Sequence, residues 1–506
     1  MIRPTSSLLL GLSLILGLSI LPAIAPSVIP APVGPAAAQD TAPDLGEVIT
    51  RQYADGGIYE GTFLDGLQHG QGTYRLPNGF EYSGEWMQGQ ITGTGTARYP
   101  NGSVYTGAFE DGRPHGQGRM VFADGSSYEG NWDAGRIMGQ GTRRYVTGVV
   151  YTGTFDDSQP DGTGTMTRPG GLTYEGEWEN GLREGQGTIT YPDGSTYTGA
   201  MHNDQRHGEG TLTRPDGTTY TGEWSEGMLH GAGVLTLPNG DRREGTFAQG
   251  MLQGVGRLIM ADGSVYEGDF VNDQREGRGR LSTATGYVYS GEWQSDRING
   301  AGVMTAPDGA RYDGGFSDGV PDGEGIITYA DGTGYNGQWR QGRVEGQGRA
   351  RLAEGLIYEG NFRAGQPHGQ GRMQFPDGRI YVGDFVNGVR EGQGVMTYPD
   401  ATRYEGGFVA GEREGQGTIT MADGFTYTGQ WRAGRIEGQG TATYPSGDVY
   451  EGAFVDGQRV GQGTLTYATG QVSSGRWEQG VLVEPDLSAP AQDVQDGAEA
   501  APESDG

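Results

Sequence analysis

Five of the six histidines in this 506-residue sequence, His69, His115, His207, His230 and His368, stand just before the first glycine of a Gly-x-Gly pair. Elsewhere the same place holds Glu184, Glu276, Glu345, Glu391, Glu414 or Glu437. Imidazoles and carboxylates in one column are the material of a metal centre or of acid–base chemistry. The spacing argues against both: equivalent places in neighbouring hairpins lie about 9–10 Å apart, whereas zinc ligands sit about 2 Å from the metal. The column reads as structural or solvent-facing, and His202, outside it, has no evident partner in the sequence. Gly-x-Gly invites comparison with a phosphate cradle, but such a cradle opens a helix, and these glycines fall within strand-like segments. The Asp-Gly pairs lack the alternating aspartates and closing glutamate of a calcium loop. There is no cysteine, hence no thiolate ligand or thiol nucleophile. No catalytic residue, metal ligand or cofactor site is expected, and the chain reads as a non-enzyme.

The elements that carry these residues come from one short stretch, Tyr59-Glu60-Gly61-Thr62-Phe63, which returns every 23 residues. Its tyrosine recurs at Tyr82, Tyr105, Tyr128 and Tyr174 and onward to Tyr450, with only Arg243 and Ser473 out of pattern. Four residues further on stands Phe or Trp, among them Trp86, Trp132, Trp178, Trp224, Trp293, Trp339 and Trp431, with Met201 the exception. Positions 0, 2 and 4 of such a stretch share one strand face. Asp65-Gly66 then supplies a tight hairpin turn, since both central residues of that turn need positive φ. A second strand follows, His69 to Leu76, with Gly70, Gly72, Tyr74 and Leu76 on one face. Pro77-Asn78-Gly79 turns the chain into the next copy. Each copy is therefore one β-hairpin. The fold expected is all-β, an elongated single-layer antiparallel β-meander of about nineteen hairpins, on the order of 180 Å long. One hairpin buries too little to stand alone, so neighbours must stabilise one another. The glycines inside strands mark close approach, with rings of the neighbouring strand lying over bare backbone and the sheet curling into an aromatic-lined trough.

Outside the array the composition changes. Arg3, an apolar run from Leu8 to Leu21 and Ala36-Ala37-Ala38 before Gln39 describe a secretory signal peptide over 1–38. An uncleaved membrane anchor is the alternative. Residues 39–52 read as a linker, 53–483 as the array, and 484–506 as an acidic disordered tail. The expected location is a periplasm or the cell exterior. A net charge of −29 argues against nucleic acid and anionic membrane surfaces.

Tyr-Glu-Gly-x-Phe/Trp, then x-x-Gly, His-Gly-x-Gly and Tyr-Pro-Asp-Gly, resembles the MORN (membrane occupation and recognition nexus) repeat. Tyr174-Glu175-Gly176-Glu177-Trp178 through Gly185-Gln186-Gly187, with Tyr191-Pro192-Asp193-Gly194, comes close to its ideal. The resemblance implies an array of β-hairpins used for protein–protein contact, and in some members membrane or phosphoinositide association. This sequence has no lysine, which departs from the family's turns and weighs against lipid headgroups. Two surfaces qualify as binding sites. One is the aromatic face of Tyr59, Tyr82, Trp86, Tyr105, Tyr128, Trp132, Tyr174, Trp178, Trp224, Trp293, Trp339 and Trp431, suited to a peptide or a glycan, with plain packing the stronger reading. The other is a margin of arginines after the hairpin turn, including Arg113, Arg136, Arg343, Arg390, Arg413 and Arg435, expected to line one edge. The function expected is an exported scaffold for protein partners in a bacterial envelope, the alternative being a glycan- or membrane-surface-binding module. Open sheet edges at the two ends point to self-association.

Overall fold

The computed structural model of the chain describes residues 47–486; the expected leader and the tail from 487 onward lie outside them. The described residues form 39 strands and one 3-10 turn, Ala353–Gly355. They divide into two compact units, one running to Asp262 and taking in Phe270–Asp273, the other comprising Gly263–Asp269 and the chain from Gln274. Within each unit, strands adjacent in sequence pair antiparallel in chain order. Each is thus a single-layer, all-antiparallel β-meander of 23-residue hairpins.

The first hairpin shows how the sequence makes the element. Strand Ile58–Leu64 joins strand Leu67–Arg75 through Asp65 and Gly66, at φ 52° and 79°, the two positive values that suit the twist of the flanking strands. The second strand begins at Leu67 rather than at the expected His69. Gly61 faces Gly72 while Phe63 faces Gln68, so two steps on one strand oppose four on the other. The extra residues form a bulge around Gly70, whose φ is 69°. The same slip recurs between Gly84 and Trp86 and between Gly383 and Phe385. At the other end, the Gly79 amide donates to the Leu76 carbonyl (3.1 Å) and the Leu76 amide to the Phe80 carbonyl (2.9 Å). Asn78 Oδ1 accepts the Phe80 amide at 2.9 Å, the role Asp193 plays for Ser195.

The core is a line of rings. Tyr59 lies over Gly61 and Gly72, and a Cβ on either glycine would fall inside the contact radius of its hydroxyl. That is the close approach the strand glycines provide for. The buried hydroxyl is satisfied locally: Tyr59 Oη donates to the Thr62 carbonyl (3.1 Å), Tyr105 to Ala108 (2.8 Å) and Tyr427 to Gln430 (3.0 Å). Each of the eight tryptophans donates its indole N–H to the second Gly-x-Gly carbonyl one strand back, as Trp86 does to Gly72 at 3.2 Å. Successive rings meet edge to face, Tyr59 with Trp86 at 5.1 Å and Tyr82 with Phe109 at 5.0 Å, the arrangement ring quadrupoles favour.

At the margins the strands run further than the composition shift indicates. Ile49–Gln52, inside the expected linker, pairs with Ile58–Leu64, and Arg51 covers the Phe63 ring at 4.3 Å. Val481–Pro485 pairs with Val472–Glu478, setting Leu482 opposite Trp477 and Glu484 on Arg476 at 2.7 Å. In both places a terminal strand covers the last ring of its array.

Candidate functional site

The aromatic column is spent on packing. Tyr59, Tyr82, Tyr105, Tyr128 and Tyr174 have no exposed surface. Trp86, Trp132, Trp178, Trp224, Trp293 and Trp431 are buried too, and Trp339, the most open of the seven tryptophans, is 9% exposed. Burial pushes the phenols up, to about 12 at Tyr128 and Tyr174. None of these side chains is open to a ligand from solvent.

The expected arginine margin is two rows on opposite faces. Counting each tyrosine as position zero, Arg113, Arg136, Arg343 and Arg435 are eighth, whereas Arg390 and Arg413 are ninth, and adjacent strand residues point opposite ways. The ninth-position arginines turn toward the rings. Arg413 lies 4.4 Å from the Trp431 ring and 5.6 Å from Tyr404, and Arg390 lies 5.8 Å from Tyr381. Arg390 also donates to the Gly411 carbonyl at 2.7 Å. These guanidiniums cover rings through cation–π contact. The eighth-position row faces out: Arg136, Arg343 and Arg435 are exposed and Arg113 half-buried. Arg435 meets Asp456 at 2.6 Å and Arg136 meets Asp157 at 3.8 Å, each aspartate in the next repeat's turn. Such exposed pairs contribute little to stability.

The His/Glu column has a structural role that the sequence alone did not disclose. Its carboxylates accept the first amide of the next hairpin turn: Glu414 from Ala433 (2.8 Å), Glu345 from Ala364 (3.0 Å), Glu276 from Ser295 (2.8 Å) and Asp322 from Gln341 (2.9 Å). Each pair is separated by 19 residues, which joins one repeat to the turn of the next. Glu184 accepts from the Asn203 amide and also bonds His202 at 2.7 Å, which supplies the partner missing from the sequence reading. The His202 imidazole and the Asn203 amide hold the Glu184 carboxyl below its ordinary range. His115 sits between Glu110 (3.2 Å) and Asp133 (3.5 Å). Among the described residues no group of three or more His, Cys, Asp or Glu is placed to hold a metal ion.

The exceptions to the turn glycine follow the same inter-repeat logic. Asp204 and Asp296, at φ 66° and 67°, each accept both the amide and the Nε–H of the preceding ninth-position arginine, Arg183 and Arg275, at 3.0 Å. Where Arg243 replaces tyrosine, the Leu252 side chain occupies the space over Gly245 and Gly256. Arg243 itself reaches Asp273 at 2.9 Å.

The MORN repeat model matches in eighteen consecutive segments, from 59–80 to 450–472. The chain belongs to the MORN-repeat family, and it is a non-enzymatic repeat scaffold module. No curated protein matches it. Among solved structures, the TCP domain of SAS-4 from Drosophila melanogaster, in complex with a proline-rich motif of Ana2, is 22% identical over 30% of this chain and 85% of that one, with a TM-score of 0.21. The TCP10 domain of CPAP from Danio rerio is 15% identical over 48% of this chain and 99% of that one, with a TM-score of 0.19. Family membership rests on the repeat model. No helix among the described residues is long and apolar enough to cross a membrane.

Proposed function

We propose that the chain is an exported scaffold of a bacterial cell envelope that holds protein partners along its outward surface. The observation that carries this is the division of labour between the faces. Rings and glycines are consumed by packing in repeat after repeat, while exposed arginines and carboxylates recur outward at the repeat interval. Such a surface repeats its polar groups over a distance no small ligand spans. Arg136 in the first unit, and Arg343 and Arg435 in the second, are each open to acidic segments of a partner. The leader pattern over 1–38 supports export, and the abundance of Gly, Ala and Arg without Lys supports a bacterial source of high GC content.

Proximity labelling from the chain in its native cells is the test, read by identifying the neighbours. A reproducible set of envelope proteins is expected, with the purified protein beginning at Gln39. Recovery from the cytosol with residues 1–38 intact would overturn the export reading. Labelling that returns no recurrent protein would overturn the scaffold reading.

Self-association is a second reading, favoured by the terminal strands. Among the described residues Val481–Pro485 has an unpaired edge, with Val481 62% and Val483 42% exposed, and an unpaired edge is a template for another strand. Light scattering at micromolar concentration should show a species larger than one chain; a strict monomer would end the idea.

A further inference from the structure

The face turned away from the rings is polar, and over much of the array its side chains are occupied with one another. Thr188 pairs with Thr198 and Thr211 with Thr221, both at 3.2 Å. The glutamine in the middle of Gly-x-Gly bonds across to the next strand: Gln140 to Thr154 (2.9 Å), Gln347 to Asn361 (2.5 Å) and Gln370 to Asp384. The hydroxyl pairing persists to the end, Thr418 with Thr428 and Thr464 with Ser474 at 2.9 Å, but in the last repeats the glutamine pairing stops, as it does singly at Gln186 opposite Ala200 and Gln393 opposite Gly407. Gln439 faces Ala453, which has nothing to offer it. Gln462 faces Arg476, already engaged by Glu478 and Glu484. Gln416 faces Gln430, whose Oε1 accepts the Gln439 amide instead. All three glutamines are exposed, and together with Thr441, Glu451 and Asp486 they line a groove of about 760 Å³.

The chemistry of this groove is specific in sign and in period. Each carboxamide presents both donors and an acceptor, the Thr441 hydroxyl presents both, and the two carboxylates accept only. No cation is among the lining residues, so a phosphate, sulfate or uronate would meet carboxylates in a chain of net charge −29. The glutamines recur once per two strands, about 9–10 Å apart. An extended polypeptide repeats every two residues, about 6.6 Å, and falls out of step with them. A polymer of neutral sugars presents hydroxyl groups that can donate to carboxylates and exchange both kinds of bond with carboxamides. Its extended disaccharide unit is of the length of one repeat.

We propose that this groove binds an extended, uncharged polysaccharide, with one disaccharide unit per repeat and the Gln416, Gln439 and Gln462 carboxamides as the recurring contacts. It shares no residue with the outward arginine row and does not depend on the scaffold reading.

The test is titration calorimetry on the full chain with β-1,4-linked oligomers of glucose and of N-acetylglucosamine, two, four and six sugars long. A hyaluronan hexasaccharide serves as the anionic control. Affinity should rise with length for at least one neutral series, and hyaluronan should give no heat. The double variant Q439A/Q462A should bind the neutral hexasaccharide about tenfold more weakly, as expected for two lost hydrogen bonds of ordinary net strength. Because both side chains are exposed and unpaired among the described residues, the variant's thermal midpoint should not move, which separates lost contacts from lost fold. Silence of both hexasaccharides, equal affinity in the variant, or preference for hyaluronan would overturn the proposal. So would capture of an unfolded polypeptide through the same glutamines when neither sugar series binds.

Discussion

At the residue scale the fold depends on how a tyrosine hydroxyl and two glycines share one space. The Tyr105 ring covers Gly107 and Gly118, and its hydroxyl donates to the Ala108 carbonyl at 2.8 Å. A methyl at position 118 would collide with that hydroxyl and with the ring carbon that bears it, beneath a ring that is itself fully buried. Gly118→Ala should therefore destabilise by about 3 kcal/mol, the upper range for overpacking a tight site. Tyr105→Phe should cost about 1 kcal/mol for the lost hydrogen bond. Because Phe removes the atom nearest the added methyl, the double variant should be less destabilised than the sum of the two. Urea unfolding of the four proteins completes the cycle; strict additivity would show that the hydroxyl is not what excludes the side chain.

At the element scale the hairpin's continuity with its neighbours matters more than its own strands. In the second unit the edge-to-face line runs unbroken from Tyr266 through Trp293 and Tyr289 to Tyr450 and Trp477. In the first, Met201 stands where a ring would join Tyr174 to Tyr197, and Met201 is only 3% exposed. Met201→Phe should restore two edge-to-face contacts at a place other repeats already build around Phe, and so stabilise by about 1 kcal/mol. Hydrogen exchange should show the gain concentrated in the strands Leu182–Thr190 to Gln205–Thr213, since repeat stability is a nearest-neighbour property. A uniform change along the chain, or a loss, would contradict this. The hairpins themselves were legible in the sequence because tyrosine, glycine and ring residues keep a constant phase and Asp65-Gly66 names its own turn. What was not legible was the strand start at Leu67 and the bulge at Gly70, since Gly-x-Gly fits a flat strand equally well. That ambiguity hides the parity of the eighth and ninth positions, so that in the sequence Arg390 and Arg413 fall in one group with Arg136. The turn-capping role of the glutamates is illegible for a related reason: their partner is a backbone amide, which leaves no mark in side-chain composition.

At the scale of the whole molecule the recurring buried phenol gives each unit a shared dependence on pH. Burial raises Tyr128, Tyr174 and Tyr197 in the first unit, and Tyr289, Tyr404 and Tyr450 in the second, to about 12. In an unfolded chain they titrate near 10. Each hydroxyl donates to a carbonyl in the folded state, a bond that phenolate cannot make. The folded pKa lies above the unfolded one, so this stability is complete below about pH 10, where both states hold the proton. Between about 10 and 12 the unfolded chain releases protons that the folded chain retains, and stability falls with rising pH. The urea midpoint, followed by circular dichroism, should accordingly stay nearly flat between about pH 7 and 9 and drop steeply beyond about 10. Phenolate absorbance should then appear together with the loss of β structure. If the tyrosines instead ionise near 10 while the dichroism and the urea midpoint hold steady, the rings are not sealed by neighbouring hairpins in the way that the repeat's packing requires.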